Sequence, residues 1–254
     1  MAITDTVENF QFGRVFSRTF GLVSRNAGIF LVAAAIVMLP VLLVSFYLGS
    51  PNYMVTGTTK GWMFGLLSFV MAFVCPSLLQ AALVQAAITD LNGQRPNLGQ
   101  SLSTGFALFL PVFGITLAWL AGFLLGSVLL VVPGLIVMTA WSVVIPVRVI
   151  ERTGFTATFG RSRALTKGYR WQIFGLLVLY WVAIVGLSLL VTMLSGLTFL
   201  QAGTVSGNIP YIILQWVQSV VVSLIGSIGV TAIYYELRTV KEGIAPESLA
   251  AAFD

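Results

Sequence analysis

Four long stretches of this chain carry no charge at all: residues 26–59, 61–89, 96–147 and 171–235. A soluble domain cannot leave such stretches bare, because its helices and strands need a wetted face. A bilayer-spanning helix needs about 20 apolar residues. The first two stretches therefore hold one span each. The third, at 52 residues, and the fourth, at 65, fit two each. Composition agrees. Charged residues make up 8% of the 254 residues, apolar residues 58%, and mean hydropathy is +0.99. That excludes a soluble globular chain at roughly 25% charged, and a disordered one, which would be poor in apolar residues.

The expected fold is all-α: a polytopic membrane helix bundle with six transmembrane helices arranged as three hairpins. The spans fall at about 28–48, 62–88, 106–130, 134–150, 173–198 and 210–235, within one integral membrane domain covering 1–254. Val132-Pro133-Gly134 is the expected turn between spans 3 and 4. Gln201 to Asn208, followed by Pro210, is the polar break between spans 5 and 6. Residues 1–27 read as an amphipathic lead-in segment rather than a secretory signal, since no small-residue cleavage site follows the apolar run. Residues 236–254 form a tail.

Lys/Arg bias sets orientation. With six spans, twelve of the thirteen bases lie on the side of the two termini, and only Lys60 lies on the other. All acids share the basic side. Both termini are therefore expected in the cytoplasm. Three interfacial helices are expected to lead into the hairpins: one within residues 1–27, a second over Leu98–Phe109 and a third over Phe155–Arg170. In the first, Arg14, Arg18 and Arg25 fall within about 40° of each other on a helical wheel, opposite Phe12, Phe16, Thr19, Phe20 and Val23. The even-numbered spans exit at Asp90, Glu151 and Glu236, each with a base and a glycine close behind: Gly93, Gly154 and Gly243.

Chemistry is thinly represented. There is no histidine, the commonest general base and metal ligand. The single cysteine, Cys75, reads as a small core residue. No cofactor, metal or catalytic residue is expected, and the chain is read as non-enzymatic. The net charge of +5 fits anionic lipid rather than nucleic acid. The candidate lipid-headgroup residues are Arg14, Arg18, Arg25, Arg161, Arg163, Lys167 and Arg170. Asp90, Glu151 and Glu236 are expected to pair with nearby arginines at the surface. Gln80, Gln85, Gln215 and Gln218 are the polar side chains inside spans; they either hydrogen-bond between helices or line a solute path. Gly114, Ala118, Gly122 and Gly126 recur every fourth residue, which lets two helix backbones approach within or between monomers. Pro40, Pro76, Pro111 and Pro146 are expected to kink their helices. Tyr47, Trp62, Trp171, Tyr211 and Tyr235 fit an interfacial belt.

Three blocks carry a family likeness: Val132-Pro133-Gly134-Leu135; Ile145 to Gly154 with Phe159 to Trp171; and Tyr234-Tyr235-Glu236-Leu237-Arg238 with Glu242-Gly243. They resemble the bacterial glycerophosphoryl diester phosphodiesterase membrane-domain family, including YciC-like polytopic inner-membrane proteins. The resemblance implies a stand-alone membrane module of the bacterial inner membrane, without the catalytic domain. The leading functional expectation is an anionic-lipid-binding, envelope-organising protein. A transporter or channel for a neutral or lipid-like solute is the alternative, and an accessory scaffold, as a homo-oligomer or beside a membrane-protein partner, is the third.

Overall fold

The computed structural model describes residues 10–48, 59–129, 131–202 and 209–243, and all regular structure among them is helical. Eight helices run in order: α1 Phe12–Leu48, α2 Thr59–Leu91, α3 Leu98–Leu129, α4 Val131–Ala140, α5 Val144–Glu151, α6 Phe155–Thr166, α7 Arg170–Ala202 and α8 Ile209–Glu242. Six segments are long and apolar enough to cross a membrane, the fourth being α4 and α5 together, which fits a multi-pass membrane protein. The side chains of Tyr47 and Lys60, and the break at residues 203–208, lie outside the described residues.

Two of the three expected lead-in helices are not separate. The first, beginning at Phe12, continues into the first span and Leu98–Phe109 into the third; only α6 stands alone. Asn97 starts α3 by accepting from the backbone N–H groups of Gly99 and Gln100, a side-chain N-cap. The interior departure from helical φ/ψ in α1 falls at Asn26 (φ −120°, ψ 21°), where an asparagine side chain competes for hydrogen bonds with the helix backbone. Pro40 lies in the same helix without such a departure. Pro146 sits in the first turn of α5, where its missing N–H would have had no partner anyway. Pro133 likewise falls in the first turn of α4, so the expected turn at 132–134 is already helix.

The fourth span breaks instead at Trp141-Ser142-Val143, and that break leaves the Ala140 carbonyl outside the helical ladder. Ser162 and Thr166, both buried on α6, donate their hydroxyls to it at 2.9 and 3.2 Å. Short α6 is thus tied to the break in the fourth span by an unsatisfied carbonyl that has to find donors.

Helices α2 and α3 pack extensively, as do α1 and α8, whereas α7 touches its sequence neighbour α8 more sparingly. Only 11% of the apolar window of α7 is fully buried, the same share as in α3. Cys75 is buried in the core between α1, α2 and α8, as expected. The small-residue stripe works within the chain. A Cβ on Gly126 would lie 3.1 Å from Gly134 of α4, and one on Gly122 would clash with the Trp141 ring. Gly114 has only an ordinary contact with Phe155. A second close approach, unanticipated, joins Gly105 of α3 to Leu78 and Ala82 of α2.

Backbone glycines close some ends, but not all the expected ones. Gly93 and Gly243 adopt left-handed φ of 77° and 61° after α2 and α8. Gly154 instead precedes α6 as its N-cap, and Arg152 takes the left-handed position with φ 47°. Gly126→Ala is expected to lower the detergent melting temperature by wedging α3 from α4. Gly186→Ala, with nothing within 4 Å of the added methyl, should leave it unchanged or raise it. Circular dichroism melts of both variants check this contrast.

Candidate functional site

The four described carboxylates gather at one end of the bundle, and each meets a cation. Glu236, on the last turns of α8, is 0% exposed. Arg14 Nε donates to its Oε1 at 2.8 Å, Arg18 Nη1 to its Oε2 at 2.5 Å, and the Gln11 backbone N–H to Oε1 at 3.3 Å. The Arg18 guanidinium also lies over the Tyr235 ring at 4.7 Å. Spacing of four residues puts Arg14 and Arg18 one above the other on α1, so one carboxylate takes both.

Asp90, at the end of α2, is held by neighbours on α1. Arg25 Nη2 donates to Oδ2 at 2.5 Å and Asn26 Nδ2 to Oδ1 at 2.7 Å. Adjacent helical residues point about 100° apart. Departure from helical geometry at Asn26 coincides with both side chains reaching one carboxylate.

The third cluster joins α5, α6 and α8. Arg161 Nε spans both oxygens of Glu151 at 3.1 and 2.9 Å, and its Nη2 reaches Glu242. Arg238 donates to Glu242 at 2.8 Å and to the Tyr234 hydroxyl at 3.3 Å, which in turn donates to Glu151 at 2.9 Å. Burial by itself would lower the Arg161 guanidinium's pKa. The two carboxylates more than reverse that and hold it above its ordinary value.

The expected acid–arginine pairing therefore occurs, close in sequence for Glu151 with Arg161, but not at the surface for Glu236. The partners of Asp90 and Glu236 come from α1, more than sixty residues away in sequence. Among the seven headgroup candidates, Arg14, Arg18, Arg25 and Arg161 hold internal carboxylates. Arg163 and Lys167 are exposed, and they and Arg170 form no ion pair among the described residues. The Nε of Arg170 is buried without a hydrogen-bond acceptor. Lys241, not singled out from the sequence, joins them. Its ammonium donates to the Ala164 carbonyl at 2.5 Å and feels the repulsion of Lys167, Arg161 and Arg170. Trp171, 83% exposed, is next along the chain.

The glutamines separate. Gln215 is exposed and donates to the Tyr211 hydroxyl within α8 at 2.7 Å. Gln218 bridges to Ser188 of α7 at 2.6 Å, an interhelical hydrogen bond of the kind expected. Gln85 is half-buried in α2. Gln80 alone of the four lines a cavity of about 470 Å³ between α1, α2, α7 and α8.

No family model, no curated protein and no solved structure matches this chain.

Replacing Glu236 by Gln should lower the melting temperature of the detergent-solubilised protein, because two guanidinium groups lose their shared counter-charge. A double-mutant cycle of Arg14→Ala with Glu236→Ala should give a coupling of about 0.5–3 kcal/mol. Strictly additive melts would place the stabilisation elsewhere.

Proposed function

We propose that this chain is a non-enzymatic multi-pass protein of the bacterial inner membrane, with both termini cytoplasmic, that binds anionic phospholipid headgroups at its charged end and helps organise the membrane there. The single observation that carries this reading is the cation group Lys167, Arg170 and Lys241. Each described carboxylate is already engaged elsewhere, so Lys167, Arg170 and Lys241 stand close to one another without an ion-pair partner among the described residues, and Arg163, exposed on α6, has none either. Like charges held together favour an anion, and each base near an anionic surface contributes about 1 kcal/mol of attraction. A buried, unaccepted Nε–H on Arg170 offers a directed donor for a phosphate oxygen. Exposed Trp171 beside it suits the headgroup level of a bilayer.

The reading narrows the headgroup set. Arg14, Arg18, Arg25 and Arg161 act in it as structural cations, and Arg163, Lys167, Arg170 and Lys241 as the lipid-facing ones. Orientation rests on the twelve-to-one split of bases between the two sides. The resemblance to the glycerophosphoryl diester phosphodiesterase membrane domain rests on the sequence blocks and is compatible with this role.

Native mass spectrometry of the full-length protein, released from nanodiscs containing phosphatidylglycerol and phosphatidylethanolamine, tests it. Retained phosphatidylglycerol is expected on the wild type. It should fall several-fold in Lys167→Gln/Arg170→Gln/Lys241→Gln, and far less in Arg25→Gln. Equal retention of both lipids by the wild type would overturn the proposal.

A further inference from the structure

The cavity between α1, α2, α7 and α8 does not take part in the cationic site. Its volume, about 470 Å³, falls in the range of roughly 300–1,000 Å³ typical of small-molecule sites. It exists because α7 packs loosely: Leu176, Leu177, Leu179, Tyr180 and Ala183 face α8 across a gap that their side chains do not fill. Phe16, Phe20 and Leu179 on its wall are exposed, so it opens sideways between helices. In a spanning bundle, that opening faces hydrocarbon.

The chemistry of the lining is selective. None of its residues is charged, so a charged ligand would enter without a counter-ion, at high desolvation cost. The lining is mostly aliphatic and aromatic, with five side chains bearing polar groups. Three of these are already engaged: Thr19 donates to the Val15 carbonyl, Tyr180 to that of Val222, and Ser227 to that of Ser223. The Tyr180 hydroxyl fits only because residue 226 is glycine; a Cβ there would sit 2.5 Å from it. Gln80 from α2 and Ser223 from α8 keep their side-chain groups without hydrogen-bond partners among the described residues. A carboxamide and a hydroxyl both donate and accept. Away from water, each unsatisfied group carries a penalty of several kcal/mol. Gln80 lies eleven residues before the end of α2, about 16 Å along the helix axis from the charged end.

We infer that this cavity is a binding site for a neutral single-chain lipid, its alkyl chain lying between α7 and α8 and its uncharged hydroxyl-bearing head hydrogen-bonded by Gln80 and Ser223. The volume suits one chain. The absence of charge in the lining selects against fatty acids and phospholipids, and the sideways opening supplies the ligand from the bilayer rather than from water. This site stands independently of the cationic group, so either can fail alone.

Photolabelling of the full-length protein in nanodiscs with a diazirine-bearing monoacylglycerol, followed by peptide mapping, tests it. Adducts are expected on residues 176–183 and 222–230, competed by unlabelled monoolein and not by oleate or phosphatidylglycerol. Gln80→Leu and Ala183→Phe should each reduce labelling at least several-fold, while thermal melts confirm that the variants fold. Labelling spread evenly over the outward face of α7, at Val182 and Leu189 as strongly as at Ala183, would overturn the inference. So would equal competition by oleate, which needs no variant to read.

Discussion

A buried carboxylate with two guanidinium partners closes this bundle at its charged end. Glu236 is fully enclosed, and an enclosed carboxylate persists only with compensating charge and hydrogen bonds. Arg14 and Arg18 supply both, one to each oxygen. The consequence reaches the whole topology, since the first helix is bound to the last. Around this contact Val15, Ile233 and Leu237 pack into the same core, and the position of α1 leaves one wall of the cavity to Phe16, Thr19 and Phe20.

The same accounting divides the cations. Were the carboxylates absent, all thirteen bases would be alike in sequence terms. Because Asp90, Glu151, Glu236 and Glu242 each hold one or two arginines, those arginines are tied into the bundle, while Arg163 and Lys167 stay exposed. The two groups alternate closely in the chain: Arg161 is structural, while Arg163, two residues on, is exposed. Arg161 sits where α5 and α8 bring Glu151 and Glu242 together, and Arg163 points off that contact. The hydroxyls of Ser162 and Thr166 fix this orientation, because they must face the open carbonyl of Ala140.

Much of this was legible in the chain, for physical reasons. Charge-free runs of this length supply helices long enough to cross a bilayer, and the positions of the six apolar segments follow from them. Small residues at Gly122 and Gly126 gave a helix contact because nothing bulky stands between backbones. Other features were not legible. Pro146 and Pro133 look like breakers, yet in a first turn they cost no hydrogen bond, and the real break at residues 141–143 has no proline or glycine. Asn26 looked unremarkable until Asp90 was placed beside it. Gln80 and Gln215 are alike as polar residues in apolar runs, yet in the folded chain one lines a cavity and the other is exposed.

The sequence by itself determined the length and position of the apolar runs, the number of segments long and apolar enough to cross a membrane and the stretches of chain that carry the charge. Those properties depend on composition along a single strand of chain, where hydrophobic transfer and helix length act locally. Only the tertiary structure decided which arginines are spent on acids, which carbonyl needs donors and where a cavity remains. Most of these depend on residues far apart in the chain being brought together, within the roughly 3.5 Å at which hydrogen bonds and close ion pairs form, or being held apart across a gap.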